Sequence, residues 1–132
     1  MKKISIKLSK IEKLHKELSQ LLTEKLSLRV KYWLTQNLKS VETIKISIDE
    51  QHDKLISELG TLVDSNYRLD AMLSDGTINP NYVKFVEEMS VLLNENVELD
   101  IKMISLEDIE HVESTDTFNL IFEYLIQMND EQ

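Results

Sequence analysis

A seven-residue apolar repeat runs through the middle of this chain, at Leu34, Val41, Ile48, Leu55 and Leu62. Leu38 and Leu59 supply an intermediate seam, which Lys45 and His52 interrupt. No glycine or proline breaks the stretch from Ser27 until Gly60. Such a repeat describes a helix that buries one narrow stripe against other helices. A helix over Leu28 to Leu59 would be about 48 Å long at ~1.5 Å per residue. Its local propensity is modest. Ser40, Thr43 and Ser47 are weak helix formers, and Ile44, Ile46 and Ile48 are β-branched. The seam must therefore be covered for the helix to stand. Ser27 is the expected cap, and Gly60 the expected left-handed stop.

The flanking segments read as follows. Ile4, Ile6 and Leu8 alternate with Lys3, Ser5 and Lys7, the period of a half-buried strand. Ser9, with Glu12 three residues on, is placed to cap a helix with the stripe Ile11, Leu14, Leu18, Leu21 and Leu22. Residues 61–78 carry apolar side chains without clean period. A short hairpin and an irregular loop both fit them, and Asp75-Gly76 marks a turn. Asn79-Pro80 reads as a cap followed by proline at the first position of a helix reaching Asn96. Val97, Leu99, Ile101 and Met103 then alternate with Glu98, Asp100 and Lys102, and the two acidic residues would complement Lys3 and Lys7 if this strand pairs with the N-terminal one. Ser114, Thr115 or Asp116 would cap a last helix with the face Phe118, Ile121, Phe122 and Leu125. The expected fold is mainly α: a single helical domain over 1–132, built as an antiparallel helical bundle around the long helix. A small two-stranded β element joins the N-terminal strand to residues 97–104.

Composition narrows the function classes. With no cysteine, disulfides and thiol chemistry are excluded. Two glycines cannot build a phosphate-cradling loop. No apolar run approaches the roughly 20 residues of a membrane span, and no signal-peptide core follows the basic N-terminus. His15, His52 and His111 have neither the spacing nor the companions of a metal site. His52 reads as a polar interruption at a wet edge, His15 and His111 as surface residues. No catalytic, cofactor-binding or metal-ligating residue is assigned, and no cofactor is expected.

Charge is divided unevenly. Residues 1–45 hold eleven Lys and Arg against four Asp and Glu, a balance of +7. Residues 46–132 hold four against twenty, a balance of −16. Such a chain can fold its halves together, stack with copies of itself, or offer its basic half to nucleic acid. The candidate basic patch is Lys2, Lys3, Lys7, Lys10, Lys13 and Lys16. It lacks interleaved aromatics and any framing motif, so nucleic acid is the least favoured of these partners. The candidate protein interface is Tyr32, Trp33, Ile44, Ile48 and Ile56, on the long helix. Trp33, the sole tryptophan, is expected to pack over the first helix or to anchor a partner.

Several blocks carry a family resemblance. They are Leu28-Arg29-Val30-Lys31-Tyr32, Lys54 to Gly60, and Asp75-Gly76. Phe85-Val86-Glu87-Glu88-Met89 follows, then Leu92-Leu93-Asn94-Glu95 through Val97 to Ile101, and Leu106-Glu107-Asp108-Ile109. In this order the chain resembles small proteins of tailed bacteriophages to which no activity is attached. Residues 61–74 are longer than that family's usual connector. The resemblance implies synthesis in the host cell cytoplasm, incorporation into the virion, and a non-enzymatic role in virion assembly or structure. The protein would act through a protein partner or self-association, with no membrane. The rival expectations are a phage factor that binds and inhibits a host protein, and nucleic-acid binding through the basic half.

Overall fold

The computed structural model describes residues 1–112 and 117–127. It is mainly α, with the long helix and small two-stranded sheets. Strand β1 (Lys2–Lys7) leads through a 3-10 turn into helix α1 (Ile11–Leu21) and then the long helix α2 (Leu28–Leu59). A hairpin of β2 (Thr61–Val63) and β3 (Asn66–Arg68) follows, then α3 (Pro80–Leu93) and β4 (Asn96–Ile101). The chain closes with β5 (Ile104–Ser105), a 3-10 turn, α4 (Asn119–Tyr124) and β6 (Ile126–Gln127). The expected caps at Ser114, Thr115 or Asp116 lie outside the described residues. Two compact units divide the chain: Met1–Lys45 with Asn96–Gln132, and Ile46–Glu95. Helix α2 belongs to both.

The first unit holds the core. The antiparallel ladder of β1 with β4 has Ile4 opposite Leu99 and Lys3 opposite Asp100. Ile4 and Ile6 point inward, while Lys3, Ser5 and Lys7 remain exposed. The α1 stripe of Ile11, Leu14, Leu18 and Leu21 is fully buried. Phe118, Ile121 and Leu125 are buried on the last helix and its flanks. Strand β5 pairs in parallel with β6, Ile104 opposite Ile126. The second strand was expected to run to residue 104. It stops at Ile101 instead, because the buried Asn37 of α2 grips the next residue. Asn37 Nδ2 donates to the Lys102 carbonyl and the Lys102 N–H donates to Asn37 Oδ1, each at 3.0 Å. The amide thus stands in for a neighbouring strand where the ladder ends.

Some expected local signals are present and others are replaced. Ser27 Oγ accepts from the Val30 N–H at 3.3 Å, as a cap should. Asn79 Oδ1 accepts from Asn81 N–H at 3.0 Å, with Pro80 at the first helical position. Ser9 does not cap α1; Lys10 precedes the helix without a side-chain capping bond, because the 3-10 turn Leu8–Lys10 leads directly into it. The cap of α4 comes from another helix. Glu17, only 2% exposed, accepts from the N–H groups of Leu120 and Ile121 at 2.9 and 3.1 Å. A carboxylate at a helix start satisfies orphan donors and suits the helix dipole. Asp108 closes a capping box with Ser105 and meets Arg29 at 2.7 Å. Partial burial raises its carboxyl, but bonds from the Ser105 N–H and hydroxyl and the Arg29 charge outweigh that. The group sits below its ordinary 3.8.

Glu17→Ala strands two buried N–H groups and should cost about 1–3 kcal/mol. Urea denaturation of the full chain measures it, and a loss under ~0.5 kcal/mol would remove the capping role. A depressed carboxyl stabilises the fold above its unfolded value and loses that contribution as pH falls through the folded one. Asp108→Asn should therefore lower the melting temperature at neutral pH, with the gap to the parent shrinking below about pH 3.8. A gap independent of pH would contradict this.

Candidate interaction surface

The heptad seam is buried only in the first unit. Leu34 and Val41 are fully covered, as is Asn37 between them. Ile48 and Leu55 are half-buried, and His52 is exposed. Leu62, the last member of the repeat, has left the helix and lies exposed on β2. Helix α3 has no buried residue. Its contacts with the end of α2 are edge-on. The His52 and Phe85 rings sit T-shaped at 5.3 Å, and Leu55 faces Met89 and Leu92 across a cavity of about 360 Å³. Not one side chain of the unit Ile46–Glu95 is buried.

Backbone bonds and turn chemistry shape this unit. Asp64 and Ser65 both adopt positive φ, 49° and 71°, which makes the tight turn that joins β2 to β3. Gly60 is not left-handed, contrary to the sequence expectation. A Cβ there would lie 2.6 Å from the Arg68 carbonyl oxygen and 2.7 Å from that of Ile56. It is glycine because β3 comes back against the helix end. Asn81 Nδ2 donates to the Leu59 carbonyl at 3.0 Å, pairing one of the helix's orphan acceptors. Asn79 Nδ2 donates to the Asp70 carbonyl at 2.9 Å, and the Asn79 N–H to Ala71. The loop between closes at Asp75-Gly76, with Gly76 at φ 87° and a bridge of Met72 with Ile78. Asp75 accepts from both the hydroxyl and the N–H of Thr77, in that order of effect, which holds its carboxyl below the usual value. Residues 61–78 are thus a hairpin followed by a turned loop.

This scaffold displays apolar side chains to solvent. Met72 is 57% exposed and Ile78 65%. With Ala71, Tyr82, Val83 and Val86 they line a groove of about 410 Å³, in which Glu87 is the single charged residue. Val91, Leu62 and Tyr67 add further exposed apolar area. The unit is also acidic, with three Lys and Arg against ten Asp and Glu, a balance of −7. Ringed apolar patches of this kind mark interaction sites.

The residues singled out from sequence are divided between the units. Tyr32, Trp33 and Ile44 belong to the first; Ile48 and Ile56 belong to the second. Tyr32 is exposed and meets Trp33 edge-on at 5.0 Å. Trp33 is half-buried beneath Lys102, whose Nζ stands 5.1 Å from the ring centre. Ile44, Ile48 and Ile56 are half-buried, and Ile46 beside them is exposed. Lys2, Lys3 and Lys7 lie exposed on β1. Lys10 donates to the Tyr124 hydroxyl at 3.4 Å. Lys13 and Lys16 line a polar cavity together with Glu12 and Glu17, so carboxylates interleave with them. His15 is half-buried, not at the surface, and meets Glu42 at 3.5 Å. His111 bonds the Lys25 carbonyl. Among the described residues no three His, Asp or Glu converge as a metal would require, and no helix is long and apolar enough to cross a membrane. Sequence reasoning missed Met72, Ile78 and Val83. The signal was present: Val83, Val86 and Val91 widen the α3 stripe beyond the one face a single contact needs.

Gly60→Ala tests how the unit is held. Overpacking against two carbonyls should cost about 1–3 kcal/mol. Hydrogen exchange should quicken across Thr61–Arg68 while the β1/β4 ladder keeps its protection. Unchanged exchange in the hairpin would refute the close-approach explanation. No protein-family model, curated protein sequence or solved structure matches this chain.

Proposed function

We propose that this chain works by protein–protein contact rather than by catalysis, as an assembly or structural component of a tailed phage. The observation that carries the reading is the unit Ile46–Glu95, which buries none of its side chains yet exposes a continuous apolar groove. Apolar surface of this kind gains about 25 cal/mol for each Å² that a partner covers. The unit's shape is set by specific bonds at Gly60, Asn79 and Asn81, so the groove is formed before any partner arrives. Preformed surfaces bind with less ordering cost. The phage setting rests on the sequence resemblance alone.

A host protein as the target is the second reading. The acidic balance of −7 over the unit that carries the groove favours it, since a host partner with a basic surface would be steered to that unit. Site-specific photo-crosslinking in the cells that naturally make the protein tests both. A photoreactive residue at Ile78 or Met72 should give a protein adduct, and one at the exposed Lys13 should not. A sister chain or virion component in the adduct supports assembly, and a host protein supports inhibition. No adduct at either groove position would overturn the contact reading.

A further inference from the structure

The groove needs an apolar insert with basic surroundings, and the chain itself carries one. Leu28 is 84% exposed and Tyr32 55% exposed, although the same helix buries Val30, Leu34 and Val41. Leu28 and Tyr32 are four residues apart, hence on one face of α2. The face is basic. Residues 25–39 contain Lys25, Arg29, Lys31 and Lys39 and not one acidic residue. Arg29 is engaged by Asp108, and the exposed Lys25, Lys31 and Lys39 carry the remaining positive charge of this stretch. Tyr32 meets the Trp33 ring edge-on, ring centres 5.0 Å apart. A rigid aromatic beside an aliphatic side chain is the composition of an interface anchor.

We propose that a second copy of the chain inserts Leu28 and Tyr32 into the groove formed by Met72, Ile78, Val83 and Val86. The proposal rests on the protein-contact reading and names the partner. Three matches support it. An apolar knob meets an apolar groove with room for two such side chains. Basic surroundings meet an acidic unit of balance −7. And the two surfaces are different, so each copy offers one of each. The contact is therefore heterologous: every copy that donates a knob still offers a groove, and copies add head to tail. Symmetric pairing of groove on groove is disfavoured by the same charge, because two acidic units would face each other.

Light scattering of the purified full-length protein tests this. Mass should rise with concentration, and the association should weaken between about 0.05 M and about 0.5 M salt as the charges are screened. Leu28→Asp removes the knob from an exposed first helical position, where an acidic residue is compatible with the helix. Val83→Lys puts a charge of the wrong sign into the groove. Each variant alone should keep its circular dichroism spectrum and lose association roughly tenfold or more. Mixed one to one, the two variants should form dimers and stop there, since one retains only its groove and the other only its knob. A purified chain that stays monomeric up to about 1 mM would overturn the proposal. So would variants that associate as well as the parent, or a mixture that fails to pair. A monomer that still crosslinks through Ile78 to another protein in cells would refute self-association and leave the contact reading standing.

Discussion

Asn37 grips the backbone of Lys102 with both ends of its amide, 3.0 Å each way, inside a largely apolar core. Much of the first unit depends on that grip. It fixes where the β1/β4 ladder ends and so where the chain turns toward β5. It brings Lys102 over Trp33, and it holds the first half of α2 in one register against the rest of the unit. Apolar packing alone would tolerate a helix sliding or rotating by part of a turn. A buried amide does not, because a slip leaves a donor and an acceptor unpaired at about 1–3 kcal/mol. Glu17 does the same for α4. These are the two buried polar side chains among the described residues, and each ties one helix to a backbone distant in sequence.

Beyond Val41 the principle changes. No buried residue specifies the second unit, and its hydrogen bonds are mostly exposed. Gly60 lets β3 return against the helix end, Asn81 pairs a terminal carbonyl of α2, and Asn79 both caps α3 and ties down the preceding loop. Exposed bonds of this kind contribute little net stability, since water competes for each group. The unit therefore belongs to the low-stability end of the molecule, where opening is cheap. The half-buried Ile48 and Leu55 keep the helix continuous into it without closing a core.

The elements were legible where burial enforces period. The β1 alternation, the α1 stripe and the Ser27 and Asn79 caps all follow from spacing. The α2 span follows from an uninterrupted repeat. What was hidden depended on partners far away in the chain. Asn37 occupies the seam between Leu34 and Val41, but the repeat pointed to Leu38 because a leucine is the expected filler there. Nothing local to Glu17 tells that it will cap a helix a hundred residues later. Gly60 looked left-handed because helices commonly end that way. Its real constraint is a carbonyl arriving from Arg68. The candidate interface residues fall in both units: Tyr32, Trp33 and Ile44 in the first, Ile48 and Ile56 in the second.

The length of α2 ties these observations together. A helix of 32 residues offers more seam than a core of this size can cover. The chain spends the first half of that seam on its core and lets the second half carry a small, polar-bonded, apolar-faced unit. The extension makes physical sense when its exposed apolar groove is covered by something else. Covering it would also supply the burial that the unit lacks. Binding would then stabilise the hairpin, the loop and α3 together, by the general rule that whatever binds the folded form stabilises it.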